Sequence, residues 1–185
     1  MLKIRILACL SLAALLCFGL IARKAESRNL ATQFSSVYTD LNKQCRNAFK
    51  TVGEGQDMPL ICKGYGGYRI GIGYSAASSH LSVETMKGDA VVSVTPQPLS
   101  YYDNKKVEWR MADGKPFAVI IRISLYKETG SIDMDTYSEK NKTGEVLLVK
   151  GLKGYEKIDF EVDVKTTPNP NEKARQLADE NYGKQ

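Results

Sequence analysis

Histidine is almost missing from this chain of 185 residues: His80 is the only one, so every histidine-dependent mechanism would have to run through it. Ser78 and Ser79 adjoin it in sequence, but no G-x-S-x-G elbow is present to hold a serine as a nucleophile. His80 is therefore read as a polar turn residue, and a small hydrolase using it is kept as a competing function class. Cysteine is scarce too. Of the four, Cys9 and Cys17 fall within the first 22 residues, which leaves Cys45 and Cys62 as one pair. Two cysteines and one distant histidine are not a zinc ligand set. Neither G-x-G-x-x-G nor G-x-x-x-x-G-K-[ST] occurs, and the glycine cluster at residues 64–67 leads into a strand pattern, so it lacks the helix N-terminus that would hold a phosphate. Asp133 and Asp135 lack the glycine and closing glutamate of a calcium loop, while Asp159, Glu161 and Asp163 sit among Lys157 and Lys165 as a solvated face would. No metal and no cofactor is expected. A concentrated basic stripe is also lacking: the formal charge is +5, and Lys3 and Arg5 at the N-terminus supply two of those charges. That excludes a nucleic-acid binder but leaves room for an anionic ligand. There are no internal repeats.

What is present begins with the leader. Lys3 and Arg5 precede an apolar run over residues 6–21, the order of an export signal, with Gly19 and Ala22 as small residues near a cleavage point. The run is short against the roughly 20 residues of a comfortable span. Residues 1–22 are read as an export signal, with an uncleaved anchor facing the periplasm as the alternative, and the protein as periplasmic or secreted. Residues 23–36 are polar and weakly patterned, a tether. Residues 37–182 form a single β-rich domain. In an oxidising compartment Cys45 and Cys62 pair, and a bridge over a loop of that size stabilises by about 3 kcal/mol on the chain-entropy account.

The domain is organised around residues 61–74, ICKGYGGYRIGIGY. Tyr68, Ile70, Ile72 and Tyr74 fall on one side of a strand, Arg69, Gly71 and Gly73 on the other, because side chains alternate with period two. The glycine side is almost bare, and something must lie against it; Ala174 and Ala178 of a C-terminal helix are the expected occupants. Residues 75–79 read as a turn, 81 and 83 as inward positions of the next strand, and 90–95 as a further strand stopped by Pro96 and Pro98. Asp113-Gly114 signals a hairpin into the most apolar segment, where Phe117, Val119, Ile121, Ile123 and Leu125 share a face of a central strand. Residues 158–164 alternate cleanly, and Asn169-Pro170-Asn171-Glu172 is a helix start with Asn169 as N-cap. About seven to eight short strands with a C-terminal helix make a mainly β fold, an antiparallel sandwich or open barrel. Arg122 interrupts the central strand and needs a partner, with Glu108 across the hairpin as the candidate. Tyr65, Tyr68, Arg69, Tyr101, Tyr102 and Arg122 are the candidate binding surface.

The segments Tyr38-Thr39-Asp40-Leu41, Cys45, Cys62-Lys63-Gly64-Tyr65-Gly66-Gly67-Tyr68 and Ala174 to Asp179 resemble a group of small exported bacterial proteins of unknown function, which share a Y-T-D-L…C…C-x-G-x-G-G-Y opening and an A-x-x-L-A-D close. The resemblance covers most of the exported part. It implies export to the bacterial envelope but no activity and no functional residues. Such proteins carry a further cysteine near the last strand; residues 155–158 have none, so a second bridge is not expected. A weaker likeness is to periplasmic lysozyme inhibitors of the small β-barrel type, which also set a cysteine before a glycine turn and an alternating strand, as in residues 62–74. Their Ser-Gly-x-x-Tyr loop is missing, with only Ser100-Tyr101-Tyr102 as an echo. The expected function is a non-enzymatic binding or interaction role at the envelope. Its partner would be an envelope protein or an anionic ligand, with no nucleic acid, and with membrane contact only through the N-terminal segment. A lysozyme-inhibitor-like protein and a small hydrolase using His80 are the alternatives.

Overall fold

Strand periodicity in the sequence becomes two antiparallel sheets, seen in a computed structural model that describes residues 31–54, 56–75, 78–94, 100–101, 105–127 and 136–185. The leader, the proline stop at residues 96 and 98, Tyr102, and the Asp133/Asp135 pair lie outside the described residues. In chain order the strands are β1 (Phe34–Asp40), β2 (Cys45–Asn47), β3 (Leu60–Lys63), β4 (Tyr68–Ser75), β5 (Ser78–Thr85), β6 (Ala90–Val94), β7 (Ser100–Tyr101), β8 (Lys106–Ala112), β9 (Lys115–Tyr126), β10 (Lys142–Gly151) and β11 (Asp159–Asp163), followed by helix α1 (Pro170–Asn181). The minor sheet is a meander, β2-β3-β4-β5-β6; the major sheet runs β1-β8-β9-β10-β11, with the short β7 beside the end of β9. Neither order closes on itself, so the mainly β class with a C-terminal helix holds, as an open two-sheet arrangement. The strands beyond the expected seven or eight include the two- and three-residue β7 and β2, too short to show a period.

The two sheets enclose one core. Ile70, Leu81 and Val83 from the minor sheet meet Val107, Trp109 and Ile121 from the major one, all with 1% exposure or less. Each such side chain contributes roughly 1.5–3 kcal/mol when taken out of water. Strand β9 is central, as its apolar run requires, and is buried on both faces. Its faces do not alternate throughout. Next to the hairpin turn, where Asp113 and Gly114 adopt φ of 48° and 78°, the register slips between Arg110↔Ala118 and Met111↔Pro116. The bulge leaves Phe117 without a partner on β8, and it turns with Ala118 toward α1 instead of joining Val119, Ile121 and Ile123.

A second core lies on the other face of the major sheet. Ala174 and Ala178 of α1 are fully buried there among Phe117, Ala118, Ile120 and Leu147. This corrects the expected pairing of those alanines with Gly71 and Gly73, which belong to the minor sheet. The bare glycine side is filled instead by neighbours on β5: a Cβ at Gly71 would strike Ser82 and Glu84, and one at Gly73 would strike the His80 ring. Asn169 precedes α1 at φ 49° without a side-chain cap; its carbonyl accepts the Lys173 N–H at 3.0 Å. The left-handed backbone is not the extended conformation from which an N-cap side chain bonds the first N–H groups of a helix.

Polar contacts fix the helix in place. Arg175 Nε donates to Glu108 Oε1 at 2.6 Å, and Arg110 forks onto both oxygens of Asp179 at 3.0 and 2.5 Å. Ser36 links the two pairs, donating to Glu108 at 2.5 Å and accepting from Arg110 at 2.7 Å. Glu108 is thus taken by the helix, and Arg122 pairs with Glu145 on β10 at 2.6 Å and with Asn171 at 3.1 Å. Two further expectations shift. β1 starts at Phe34, within the expected tether, because the Phe34 ring packs on Phe117 and Tyr182 at 5.7 and 5.6 Å. The expected turn at 75–79 is shorter, since Ser75 and Ser78 already pair, and His80 is a strand residue opposite Gly73.

Candidate binding face

The two outer faces of the domain differ. α1 covers that of the major sheet, whereas no helix covers that of the minor sheet among the described residues. The inward positions of β3, β4 and β5 are apolar, so the remaining positions point outward by alternation: Ile61 and Lys63 on β3, Arg69, Gly71 and Gly73 on β4, His80, Ser82 and Glu84 on β5. The tight hairpin of residues 64–67, with Gly66 and Gly67 at φ of 59° and 88°, sets Lys63 directly opposite Arg69.

An open groove of about 850 Å³ lies at this end of the sheet, lined by Lys43, Arg46, Lys63, Arg69, Tyr68, Met86 and the cystine. The Cys45–Cys62 disulfide is formed between directly paired positions of β2 and β3, so it ties the short edge strand carrying Arg46 to the sheet. Among the described residues four cations line the groove and no acid does. Arg69 is neutralised from outside by Glu84, its Nε donating to Oε2 at 2.9 Å while Ser82 donates to Oε1 at 2.7 Å. Glycine at position 71 permits this, because a side chain there would occupy the space Glu84 and Ser82 use. Lys43 reaches Asp40 only at 3.9 Å and is 82% exposed, a weak pair in water. Lys63 and Arg46 have no ion pair among the described residues.

A second hollow of about 360 Å³ adjoins the groove, sharing Ile61 and Arg69 with it and extending past Gly73 and His80 to Phe49 and Tyr74. Large apolar side chains stand out at both ends of the face: Met86 is 67% exposed and Phe49 62%. The His80 imidazole makes no hydrogen bond to another described side chain, and Ser82, on the same face, gives its proton to Glu84. No group of three or more histidine, cysteine or acidic side chains able to hold a metal occurs among the described residues.

The sequence-derived surface is divided by the fold. Tyr68 and Arg69 line the basic groove, with Tyr65 on the same hairpin, although Tyr65 and Tyr68 also pack on Trp109 with ring centroids 5.9 and 6.4 Å away. Arg122 lies on the helix side of the major sheet, in a cavity of about 260 Å³ with Glu108, Arg175 and Tyr38. Glu108 is held there by Arg175, and Arg122 by Glu145 and Asn171, so that cavity belongs to the polar contacts holding α1. Tyr101 pairs through its backbone with Ser124, at the end of β9, and Tyr102 is outside the described residues. Lys43, Arg46, Lys63, Ser82 and Glu84 were not anticipated. The signal for Lys63 was available, because a hairpin at residues 64–67 that pairs Cys62 with Ile70 must pair Lys63 with Arg69. No helix among the described residues is long and apolar enough to cross a membrane. Comparison with protein-family models, curated proteins and solved structures finds nothing that matches this chain.

Proposed function

We propose that this chain is an exported, non-enzymatic β-domain that binds a partner at the bacterial envelope through the outer face of the minor sheet. One observation carries the reading: the basic groove and the His80 hollow adjoin on the sheet face that no helix covers among the described residues. The opposite outer face is occupied by α1 and held by paired charges, and the cavity described there is the smaller one of about 260 Å³. The cystine is compatible with an oxidising compartment, as the charged-then-apolar leader also suggests. The protein is then periplasmic or secreted.

The test is site-specific photo-crosslinking in cells that export the protein, with the reactive residue at Ile61, at Ser82 or at Glu161 on β11. Adducts of one discrete mass from the first two positions alone, in protein recovered from the periplasmic fraction or the medium, support the proposal. No adduct from positions 61 and 82, equal labelling from all three, or protein retained in the cytoplasm overturns it.

A further inference from the structure

We infer that the occupant of the basic groove is an acidic, extended segment of a protein partner, an inference that rests on the binding-face reading above. Lys63 and Arg69 stand directly opposite each other, an arrangement that repels unless something negative lies between or above them. Glu84 relieves Arg69 from the β5 side only. Arg46 is opposite Ile61, one step along β3 from Lys63, so the three cations form a short diagonal across β2, β3 and β4. Neighbours directly across a sheet are roughly 5 Å apart and diagonal ones roughly 7–8 Å. An extended peptide presents carboxylates on one side every 6.6–6.8 Å or so, a repeat that long lysine and arginine side chains meet without strain. Charge complementarity thus selects an acidic partner, and the run of the two hollows along the face selects an elongated one.

A bilayer surface fits less well. Flat docking needs apolar side chains that protrude together, whereas Met86 and Phe49 flank opposite ends of a recessed face. The hollow between them is bounded by glycine positions of β4 and by side chains already lying over that strand.

The exported protein is titrated into a short fluorescent oligo-L-glutamate at low salt, with fluorescence anisotropy as the readout. The inference expects saturable binding that weakens with added salt, and an affinity about tenfold lower or worse in the Arg46→Glu/Lys63→Glu variant. A Lys153→Glu/Lys173→Glu variant of equal net charge should stay within about twofold of the parent. Equal losses in both variants would mean generic charge attraction and overturn the inference. Absence of binding at low salt overturns it as well. So does co-sedimentation with phosphatidylglycerol vesicles that depends on Arg46 and Lys63, which would assign the face to a lipid surface. If crosslinks at positions 61 and 82 persist while the glutamate probe fails, the binding face stands and only the acidic chemistry falls.

Discussion

The indole N–H of Trp109 donates to Thr39 Oγ1 at 3.0 Å, and Thr39 gives its own hydroxyl proton to the carbonyl of Lys63 at 2.8 Å. One hydroxyl thus accepts from the core of the major sheet and donates to the minor sheet, at the residue that supplies a cation of the groove. Thr39→Val keeps the shape and removes both bonds, leaving a buried N–H and a carbonyl unpaired. Each orphan group costs about 1–3 kcal/mol, so we expect a total loss of roughly 2–6 kcal/mol in urea unfolding. Thr39→Ser should recover most of it. An unchanged midpoint for the valine variant would show that this link contributes nothing.

Arg175 secures the helix through a carboxylate with little access to water. Glu108 has a side chain only 9% exposed, against 34% for Arg175. Removing the arginine leaves that carboxylate short of its counter-charge, and Arg175→Ala should lose about 2 kcal/mol, below the range for a fully buried pair because Arg175 is partly solvated. The double variant Arg175→Leu/Glu108→Leu should be more stable than the alanine single variant. A double-mutant cycle with no coupling between the two positions would contradict this account.

Acid should loosen the β9–β10 pairing through Glu145. The Lys142 ammonium, hydrogen-bonded at 2.8 Å, and the Arg122 guanidinium hold the Glu145 carboxyl below the usual carboxylate range, against the opposing pull of partial burial. The folded state therefore releases this proton more readily than the unfolded one. The resulting stabilisation is complete above the unfolded value of about 4.3 and disappears as pH falls through the lower folded value. Glu145→Gln should be less stable than the parent at neutral pH, and the two should converge in strong acid. Urea midpoints measured across that range check it; a gap that stayed constant with pH would remove Glu145 from the acid response. Asp163 is held low as well, by the Thr166 and Lys165 backbone N–H groups, so the parent retains some acid sensitivity in either variant.

Loss of the disulfide should act on stability and on the groove together. The bridge closes a sequence separation of 17, which corresponds to about 3 kcal/mol on the chain-entropy account. β2 is an edge strand of three residues, and it carries Arg46. The Cys45→Ser/Cys62→Ser variant should therefore unfold at lower urea and bind the oligo-L-glutamate probe more weakly, while thiol titration of the denatured parent domain detects neither Cys45 nor Cys62. Free thiols at both positions in exported protein would contradict the pairing.

Period-two reading placed the faces of β4 and β5 correctly, because each has one apolar side: Ile70 and Ile72, then Leu81 and Val83, all lie in the inter-sheet core. It failed where a strand departs from its period. The bulge that turns Phe117 toward α1 depends on how β8 and β9 pair, and nothing in the order of residues 115–126 marks it. Arg122 was recognised as needing a partner, but whether Glu108 or Glu145 answers it depends on which strand lies on which side of β9.

From sequence alone came the β class, the C-terminal helix, the cysteine pair and the placing of Arg69 on the face opposite Ile70 and Ile72, all set by alternation and by residue type over a few neighbours. Only the tertiary structure decided which sheet α1 covers, and hence which outer face has no helix over it among the described residues. That choice turns on long-range packing: two buried alanines give α1 close approach to the major sheet, while β5 side chains already fill the glycine side of β4. Lys63, Arg46 and Arg69 gather at one end of the face because β2, β3 and β4 are brought side by side, and like charges so distant in composition become neighbours only when the strands pair.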